Sequence, residues 1–404
     1  MRQSPYPMIS VQEALDIIFE QVKPLSPTTK PFTELMGLVL AEDIYATEPM
    51  PPFPAATVDG YAVIAADEGK RQVLGDQMAG YVADMTIQPG MAARVTTGAP
   101  IPPGADAMVM IEDTDEENGQ LIMHTTVSAG NCIRPVGVDI EVGQLVLPAG
   151  TVLKPAEVGL LAMIGRTEAS VYPTPRIGVM STGDEIVEPG EDCGPGQIRD
   201  ANRFTLMNAV IQAGGIPIDL GIVRDQEANL ADTFNQGLET ADAILTSGGV
   251  SMGQLDLVKP YLAEHGTLHF GRVNTKPGKP VTFGLLGGKP FFAMPGFPVS
   301  ALVSFEVFVR SALLRMAGHT QIHRPRRQVV LAHDVSHGPE RTEFQRVILS
   351  QESDGTIKAE STGVQASSRL LSMRDANGLI ILPHGQGDFP AGSTVEALIL
   401  DVIP

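Results

Sequence analysis

Arg176-Ile-Gly-Val-Met-Ser-Thr182 is the stretch of sequence that decides the fold of this chain. An apolar run that ends in polar residues is typical of a buried strand followed by a turn. Similar runs follow at residues 216–223, 242–247 and 290–294, and helical patterns separate them. Strands that alternate with helices predict βαβ units and a parallel sheet.

The segments on either side of this region have a different pattern. Short apolar runs punctuated by Gly and Pro fill residues 72–150 and return after about residue 325, which indicates β domains. Ser10 and Glu13 have capping-box spacing at the start of a helix, and Pro155 suits the first turn of another. The predicted fold class is a multidomain α/β plus β protein. We expect an N-terminal linking domain with helices (1–45 and 141–173, discontinuous), an inserted β domain (46–140), an α/β domain with a parallel sheet (174–325) and a C-terminal β-barrel-like domain (326–404).

Composition and charge restrict the possible functions. The 404 residues include 47 acidic and 28 basic side chains, for a formal net charge of −19. Such a chain repels polyphosphate backbones, so we expect no nucleic-acid partner. The sequence has neither a signal-peptide pattern nor a run near the ~20 apolar residues that span a bilayer, which predicts a cytoplasmic protein without membrane contact. Cys132 and Cys193 form no motif, so disulfides are not the basis of the fold.

In open parallel sheets, ligands bind beyond the carboxyl ends of the strands. Glu185 follows the first strand directly after another acid, and Asp225 follows the second. A Gly-rich turn at 247–253 follows the third strand and leads to Asp256. Its backbone N–H groups suit a phosphate. Helix capping and surface ion pairs are the structural alternatives for the acids.

Cations follow on a proline-stiffened loop. Lys276 and Lys279 lie in Lys-Pro-Gly-Lys-Pro, and Pro295 and Pro298 follow the next strand. An exposed basic turn is the alternative, although a cationic cluster is less ordinary in so acidic a chain. Together with the acids, these residues predict a site for an anionic, phosphorylated small molecule, with a divalent cation between acids and phosphate.

The inserted β domain has candidate residues on constrained loops. These are Asp59, Thr97, Arg134 and Asp139, each close to Gly or Pro. Function often resides on such loops, although each could serve turn geometry alone.

Seven motifs occur in the order typical of one family. They are VDGYAV (58–63), TTGAP (96–100), STGDE (181–185), SGGVSMGQLD (247–256), KPGKP (276–280), PGFPVS (295–300) and EFQR (343–346). The sequence resembles the bacterial MoeA proteins and the E domain of gephyrin, the molybdopterin molybdenumtransferases. The resemblance covers essentially the whole chain and assigns molybdopterin binding to the α/β domain. It implies insertion of molybdenum from molybdate into adenylylated molybdopterin, with AMP release and a Mg²⁺ requirement.

The resemblance also assigns roles to residues. The catalytic set is Asp59, Thr97, Glu185, Asp225, Asp256, Lys276 and Lys279, with Glu185, Asp225 and Asp256 as the metal candidates. The binding set is Arg134, Asp139, Ser247, Gly248, Gly249, Ser251, Pro295, Pro298, Arg346 and Ser368. Phe297 departs from the family, which has Asn in this motif, and so removes a hydrogen-bonding group.

The implied assembly is a homodimer whose active sites are shared between subunits. Transient contact with the molybdopterin adenylyltransferase and with downstream cofactor-handling proteins is also implied. Two rival functions remain: a molybdopterin adenylyltransferase, and a non-catalytic scaffold of the same fold. The two additional β domains argue against the first, and the intact acids and lysines argue against the second.

Overall fold

The computed structural model describes residues 6–250 and 257–404. Its contacts divide the chain into two compact units. One unit comprises residues 29–170, and the other comprises residues 1–28 together with 171–404. The boundaries of the four predicted domains stay a prediction. No helix in the described ranges is both long enough and apolar enough to cross a membrane.

The unit of residues 29–170 is built on a six-stranded sheet. In spatial order its strands are Ala107–Met110, Gly60–Val63, Met91–Val95, Arg71–Gln77, Gln120–Met123 and Thr114–Glu117. Both faces are covered, because Tyr61 and Val63 belong to one apolar cluster and Ala62 to another. Successive side chains of a strand point to opposite faces, so this central strand is buried throughout.

Smaller elements complete this unit. Two-stranded pairs join Ala55–Ala56 to Ile133–Arg134 and Ile44–Tyr45 to Leu145–Leu147. The helix Pro155–Met163 starts at the expected proline. A three-stranded sheet has the order Thr28–Pro31, Glu168–Tyr172, Val39–Leu40, and short 3₁₀ turns lie at Phe32–Glu34 and Ile111–Asp113.

The α/β part of the other unit contains the predicted parallel strands. The spatial order is Ile216–Val223, Arg176–Thr182, Ala243–Ser247, Lys289–Met294, Thr282–Leu286 and Gly266–Phe270. The first four strands are parallel, which confirms the prediction for them. Thr282–Leu286 runs antiparallel to both of its neighbours, Lys289–Met294 and Gly266–Phe270, so the whole sheet is mixed.

Helices cover this sheet close to the expected positions. They are Val11–Gln21, Asn202–Gln212, Glu227–Thr240, Val258–His265 and a continuous segment formed by Pro298–Ser304, a π-helical turn Phe305–Val309 and Arg310–Met316. The first helix has the full capping box between Ser10 and Glu13. It buries Ala14 and Ile18 in the same core as the sheet. A small parallel pair, Ile186–Val187 with Ile198–Arg199, lies beside the first turn of the domain.

The C-terminal strands close into a barrel. They run Thr342–Gln351, Ile357–Ser361, Arg326–Leu331, Thr394–Ile399 and Gly378–Leu382, and the last pairs again with the first. Closure removes the exposed edges of a sheet. The short strand Thr275–Lys276 adds to Thr342–Gln351 from outside, and a 3₁₀ turn lies at Leu370–Met373.

Candidate functional site

A cavity of about 120 Å³ lies where three parallel strands end. Adjacent parallel strands bring their carboxyl ends to one edge, so the residues that follow them meet there. The lining includes Thr182, Glu185, Asn202, Ser247, Gly248 and Pro298. The predicted crevice is therefore present in the described part of the chain, and Glu185, Ser247, Gly248 and Pro298 line it.

Two glycines form the turn after the third strand. Gly248 and Gly249 have φ of +92° and +63°, a region that side chains with Cβ rarely adopt. A Cβ on Gly248 would lie 2.6 Å from the carbonyl oxygen of Thr182, and one on Gly249 would lie 2.6 Å from Cγ2 of Val258. Only glycine fits either position, so the loop can run close to the first strand end.

Asn202 connects two of the loops. It is the first residue of the helix Asn202–Gln212, and its Nδ2 donates to Ser247 Oγ at 2.6 Å and to the carbonyl of Gly296 at 2.7 Å. Ser247 Oγ accepts here, so its own hydrogen can be donated elsewhere. Sequence reasoning missed Asn202, because an Asn at the start of a helix gives no signal for a contact 45 residues away.

An ionic network centred on the buried Arg203 adjoins the crevice, and its member Asp200 lines the cavity. Asp200 accepts from Ser181 Oγ at 2.9 Å and from Arg203 Nε at 3.0 Å. Arg203, only 3% exposed, also contacts Glu188 and Asp219. Sequence reasoning named none of these residues as part of the site.

The hydroxyl of Thr182 is buried beside this network. Its Oγ1 has no hydrogen-bond partner among the described residues. A buried polar atom without a partner carries a free-energy cost, and a bound ligand could relieve it.

Three carboxylates gather beside the cavity. Burial raises the pKa of Asp225, and the negative charges of Asp184 and Glu185 raise it further. Asp225 N–H donates to Asp184 Oδ1 at 3.3 Å, whereas the guanidinium of Arg224 is directed at the carbonyls of Asp184 and Ile186. Among residues 6–250 and 257–404, none of the three carboxylates forms an ion pair.

The structure describes two of the three predicted metal ligands, Glu185 and Asp225. Asp256 and Ser251 lie outside the described residues. Within the described ranges, three possible ligands converge only at Glu227, Glu264 and His265, which are all exposed.

The turn of residues 276–280, called the lysine turn because it carries Lys276 and Lys279, packs against the helix Pro298–Ser304. Gly278 has φ of +100°, and a Cβ there would lie 2.4 Å from Ser304 Oγ. Lys276 Nζ lies 3.0 Å from the carboxylate of Glu343, which is 2% exposed. Lys279 is exposed, and no side-chain partner for it exists within the described part of the chain.

The proline residues and the barrel residues differ in exposure. Pro295 is buried, while Pro298 begins a helix. The N–H of the next residue, Val299, donates to the carbonyl of Ser367 at 3.0 Å, next to the exposed Ser368. Phe297 is 60% exposed.

Arg346 is turned inward and is only 1% exposed. Its Nε donates to Ser372 Oγ at 3.2 Å and its Nη2 to the carbonyl of Ala366 at 3.3 Å. Burial lowers the pKa of Arg346 to about 10, so the guanidinium keeps its charge at neutral pH. Arg346 therefore holds the segment of residues 366–372 through these two hydrogen bonds. Its contact with a ligand stays a prediction.

In the other unit, the predicted residues form two pairs. Asp59 accepts from the N–H of Thr97 at 2.7 Å and from its Oγ1 at 2.9 Å, and these bonds lower the pKa of Asp59. Arg134 and Asp139 form an ion pair. All four residues are exposed; Asp59, Thr97 and Asp139 lie on loops, and Arg134 ends the short strand Ile133–Arg134.

Two pairings bring these segments together. Ala55–Ala56 pairs with Ile133–Arg134, and Ala55 also bridges to Pro100. The loops that carry Asp59 and Thr97 and the strand that carries Arg134 therefore converge within this unit.

The fold and the crevice define a class of protein: multidomain, with a ligand crevice at the strand ends of an α/β domain and with a closed barrel after it. The chain belongs to the MoeA family of molybdopterin molybdenumtransferases. The family models match in succession: the MoeA N-terminal region (domains I and II) over residues 9–165, a probable molybdopterin-binding domain over 178–315 and the MoeA C-terminal region (domain IV) over 328–400.

Relatives match over nearly the whole chain. The sequence is 36% identical to molybdopterin molybdenumtransferase 2 of Mycobacterium tuberculosis, with 96% of this chain and 99% of that protein covered. It is also 36% identical to gephyrin of Dictyostelium discoideum, but it spans only 64% of gephyrin's length. A molybdopterin biosynthesis MoeA protein from Pyrococcus horikoshii has the same fold, with a TM-score of 0.85, 30% identity and coverage of 98% of this chain and 100% of that one.

Proposed function

We propose that this protein is a molybdopterin molybdenumtransferase. It would take molybdenum from molybdate into adenylylated molybdopterin and release AMP. The observation that carries the proposal is the strand-end cavity, where a Gly-Gly turn, a helix start and a group of unpaired acids meet. Family membership makes adenylylated molybdopterin the substrate that suits this combination.

The cavity and the lysine turn suit a phosphorylated ligand. The Ser247 hydroxyl has a hydrogen to donate, and the N-terminus of the helix Asn202–Gln212 favours negative charge. The lysine turn packs on the helix that begins at Pro298, which itself lines the cavity. Lys276 and Lys279 therefore project from a segment braced against the wall of the site, and we assign them to the phosphates.

The acids suit a divalent cation. Mg²⁺ prefers carboxylate oxygens, and mutual repulsion of Asp184, Glu185 and Asp225 is the situation that a cation relieves. Glu185 and Asp225 would hold the ion, with Asp256 as the third candidate. When bound, Mg²⁺ would neutralise charge at the phosphoanhydride. Asp225 would orient the attacking water and Glu185 would face the dithiolene end.

The loops of the other unit would complete the site in a homodimer. We propose that Asp59 and Thr97 act beside the dithiolene and molybdate, with Arg134 and Asp139 as binding residues. The resemblance supports this arrangement, and the Thr97 hydrogen bonds to Asp59 keep that carboxylate ionised. Arg346 and Ser368 remain binding candidates in the barrel. Contact with the adenylyltransferase and a cytoplasmic location remain predictions.

Molybdate-dependent AMP release tests the proposal. Purified protein, adenylylated molybdopterin and Mg²⁺ should release AMP when molybdate is added, and much less without it. Glu185→Gln should lower the rate about 10²–10³-fold, as is typical for one catalytic electrostatic group. Glu239→Gln removes an exposed acid from the helix Glu227–Thr240 and should leave the rate unchanged.

Two results would contradict the proposal. Release of AMP that does not depend on molybdate would exclude metal insertion. Formation of adenylylated molybdopterin from molybdopterin and ATP, without the molybdate step, would instead identify an adenylyltransferase.

A further inference from the structure

A buried carboxylate lies where the lysine turn meets the barrel. Glu343 is 2% exposed on the barrel strand Thr342–Gln351, and it pairs in register with Lys276 on Thr275–Lys276. Lys276 Nζ lies 3.0 Å from Oε1 and 3.1 Å from Oε2 of Glu343. A long side chain held by both oxygens has lost much of its rotamer freedom before any ligand arrives.

His337 holds the same carboxylate from inside the barrel. Its side chain is fully buried, with Nδ1 3.1 Å from Glu343 Oε2 and Nε2 3.2 Å from the carbonyl oxygen of Pro383. The contact with His337 fixes the orientation of the Glu343 carboxylate, so both of its oxygens stay directed at Lys276.

The surroundings of Lys276 keep positive charge although Glu343 is an acid, because two cations interact with this one carboxylate. Glu343 also interacts electrostatically with the buried guanidinium of Arg346, which adds another positive charge nearby. The side chain of Lys276 is still 46% exposed, so an anion in solvent can reach it.

We propose that Glu343 and His337 are positioning residues for Lys276. They hold the ammonium in place on the lysine turn while leaving its charge available to an anionic ligand. The part that concerns the ligand rests on the proposed function, in which Lys276 contacts a phosphate. The part that concerns the lysine itself can be tested without any ligand.

Lysine reactivity tests the positioning directly. In trace labelling with a small amine reagent, followed by mass spectrometry, Lys276 should react more slowly than Lys279, because the paired ammonium is less often free for attack. Glu343→Gln should remove this difference. Glu352→Gln is the matched control, because it breaks an exposed pair with Lys358 and should not alter Lys276. Equal rates for Lys276 and Lys279 in the unaltered protein would overturn the proposal.

A double-mutant cycle then tests the effect on binding, with AMP as the probe in titration calorimetry. Glu343→Gln should weaken AMP binding about three- to tenfold, the range expected for ordering one long side chain. In the Lys276→Ala background it should add nothing, because Glu343 acts through Lys276. The same loss in both backgrounds would show a merely structural role and overturn the proposal.

Two further points keep the results separable. If Glu343→Gln fails to fold, Glu343→Asp serves in the same cycle, since it keeps the charge and withdraws it from Nζ by one methylene. If Lys276→Ala alone leaves AMP affinity unchanged, the ligand contact assigned to Lys276 is wrong. The proposal that its charge is available to a ligand is then wrong as well. The labelling result would then still report whether Glu343 holds the lysine.

Discussion

Single polar side chains give the crevice its shape, and Asn202 does so by tying two loops to one helix. Asn202→Ala removes both donors, to Ser247 Oγ and to the carbonyl of Gly296. We expect a loss of about 1–3 kcal/mol in the free energy of unfolding and a fall in AMP release, since the buried hydroxyl of Ser247 loses its donor and the two loops lose their link. Thermal unfolding and the release assay measure these effects.

Asn208→Ala is a suitable control for that change. Asn208 lies in the same helix, and within the described part of the chain its Nδ2 donates only to the carbonyl of Phe204 one turn earlier. The control should alter neither stability nor rate by much. If both variants behave alike, the bridge between the loops has no special role.

The charge of Asp225 has an energetic cost in the folded protein. Its pKa is raised by burial and by Asp184 and Glu185, so the folded state disfavours the ionised form. The stability linked to this group is complete below the unfolded pKa of about 3.9 and is lost as the pH rises through the folded value. Asp225→Asn should therefore raise the melting temperature at pH 7, and the gain should shrink towards pH 4. Activity should nevertheless fall, because the proposed cation loses a ligand.

Asp59→Asn should show the opposite dependence. The N–H and hydroxyl of Thr97 lower the pKa of Asp59, so its contribution is present above the unfolded value and is lost as the pH falls. This variant should lower the melting temperature at pH 7, with a smaller deficit in acid. If Asp59→Asn and Asp225→Asn both changed the melting temperature at pH 7 in the same direction, the electrostatic description of both sites would be contradicted.

At the scale of elements, the Gly-Gly turn is the feature most strictly determined by backbone geometry. Gly249→Ala would place a Cβ at φ of +63° and 2.6 Å from Val258 Cγ2. The left-handed conformation alone costs about 1–2 kcal/mol, and the clash adds to it. We expect lower stability and weaker AMP binding, measured by denaturant unfolding and calorimetry.

Gly355→Ala separates strain from clash. Gly355 has φ of +87° but nothing within 4 Å of a built Cβ. The Gly355→Ala variant should lose stability through backbone strain alone and keep its affinity for AMP. Equal losses of affinity in both variants would mean that the turn at Gly249 does not shape the site.

The same elements show what the sequence could and could not predict. Apolar runs with polar ends identified the four parallel strands, and strand-end logic then placed Glu185, Ser247 and Gly248 at one edge. The strands Thr282–Leu286 and Gly266–Phe270, which pair antiparallel with each other, were missed. Each contains a glycine, a residue that usually indicates a turn. A Cβ on Gly284 would lie 2.4 Å from the carbonyl oxygen of Thr267, so this glycine instead allows the two strands to approach closely.

Contacts between distant side chains were beyond prediction for a different reason. The bond from Asn202 to Ser247 and the buried contacts of Glu343 depend on how loops pack after the strands have formed. The periodicity of apolar residues in the sequence carries no information about such packing. Residue type and position after a strand identified the acids and lysines, whereas the groups that hold them in place needed the structure.

At the scale of the whole molecule, the candidate residues fall in two separate units. Asp59 and Thr97 belong to residues 29–170, whereas Glu185 and Asp225 belong to the unit with the α/β domain. A catalytic centre that needs both sets can be assembled within one chain or across two. The resemblance favours assembly across a two-fold dimer, which would build two composite sites.

Mixing two inactive variants distinguishes these arrangements. If Asp59→Asn and Asp225→Asn chains are each inactive as homodimers, a heterodimer with shared sites places both lesions in one site and leaves the other intact. Random exchange makes about half the dimers mixed, so activity should recover to roughly a quarter of that of the unaltered protein. Sites built within single chains would each keep a lesion, and mixing would restore nothing. An affinity tag on one variant must first show that mixed dimers form, because chains that do not exchange would give the same negative result.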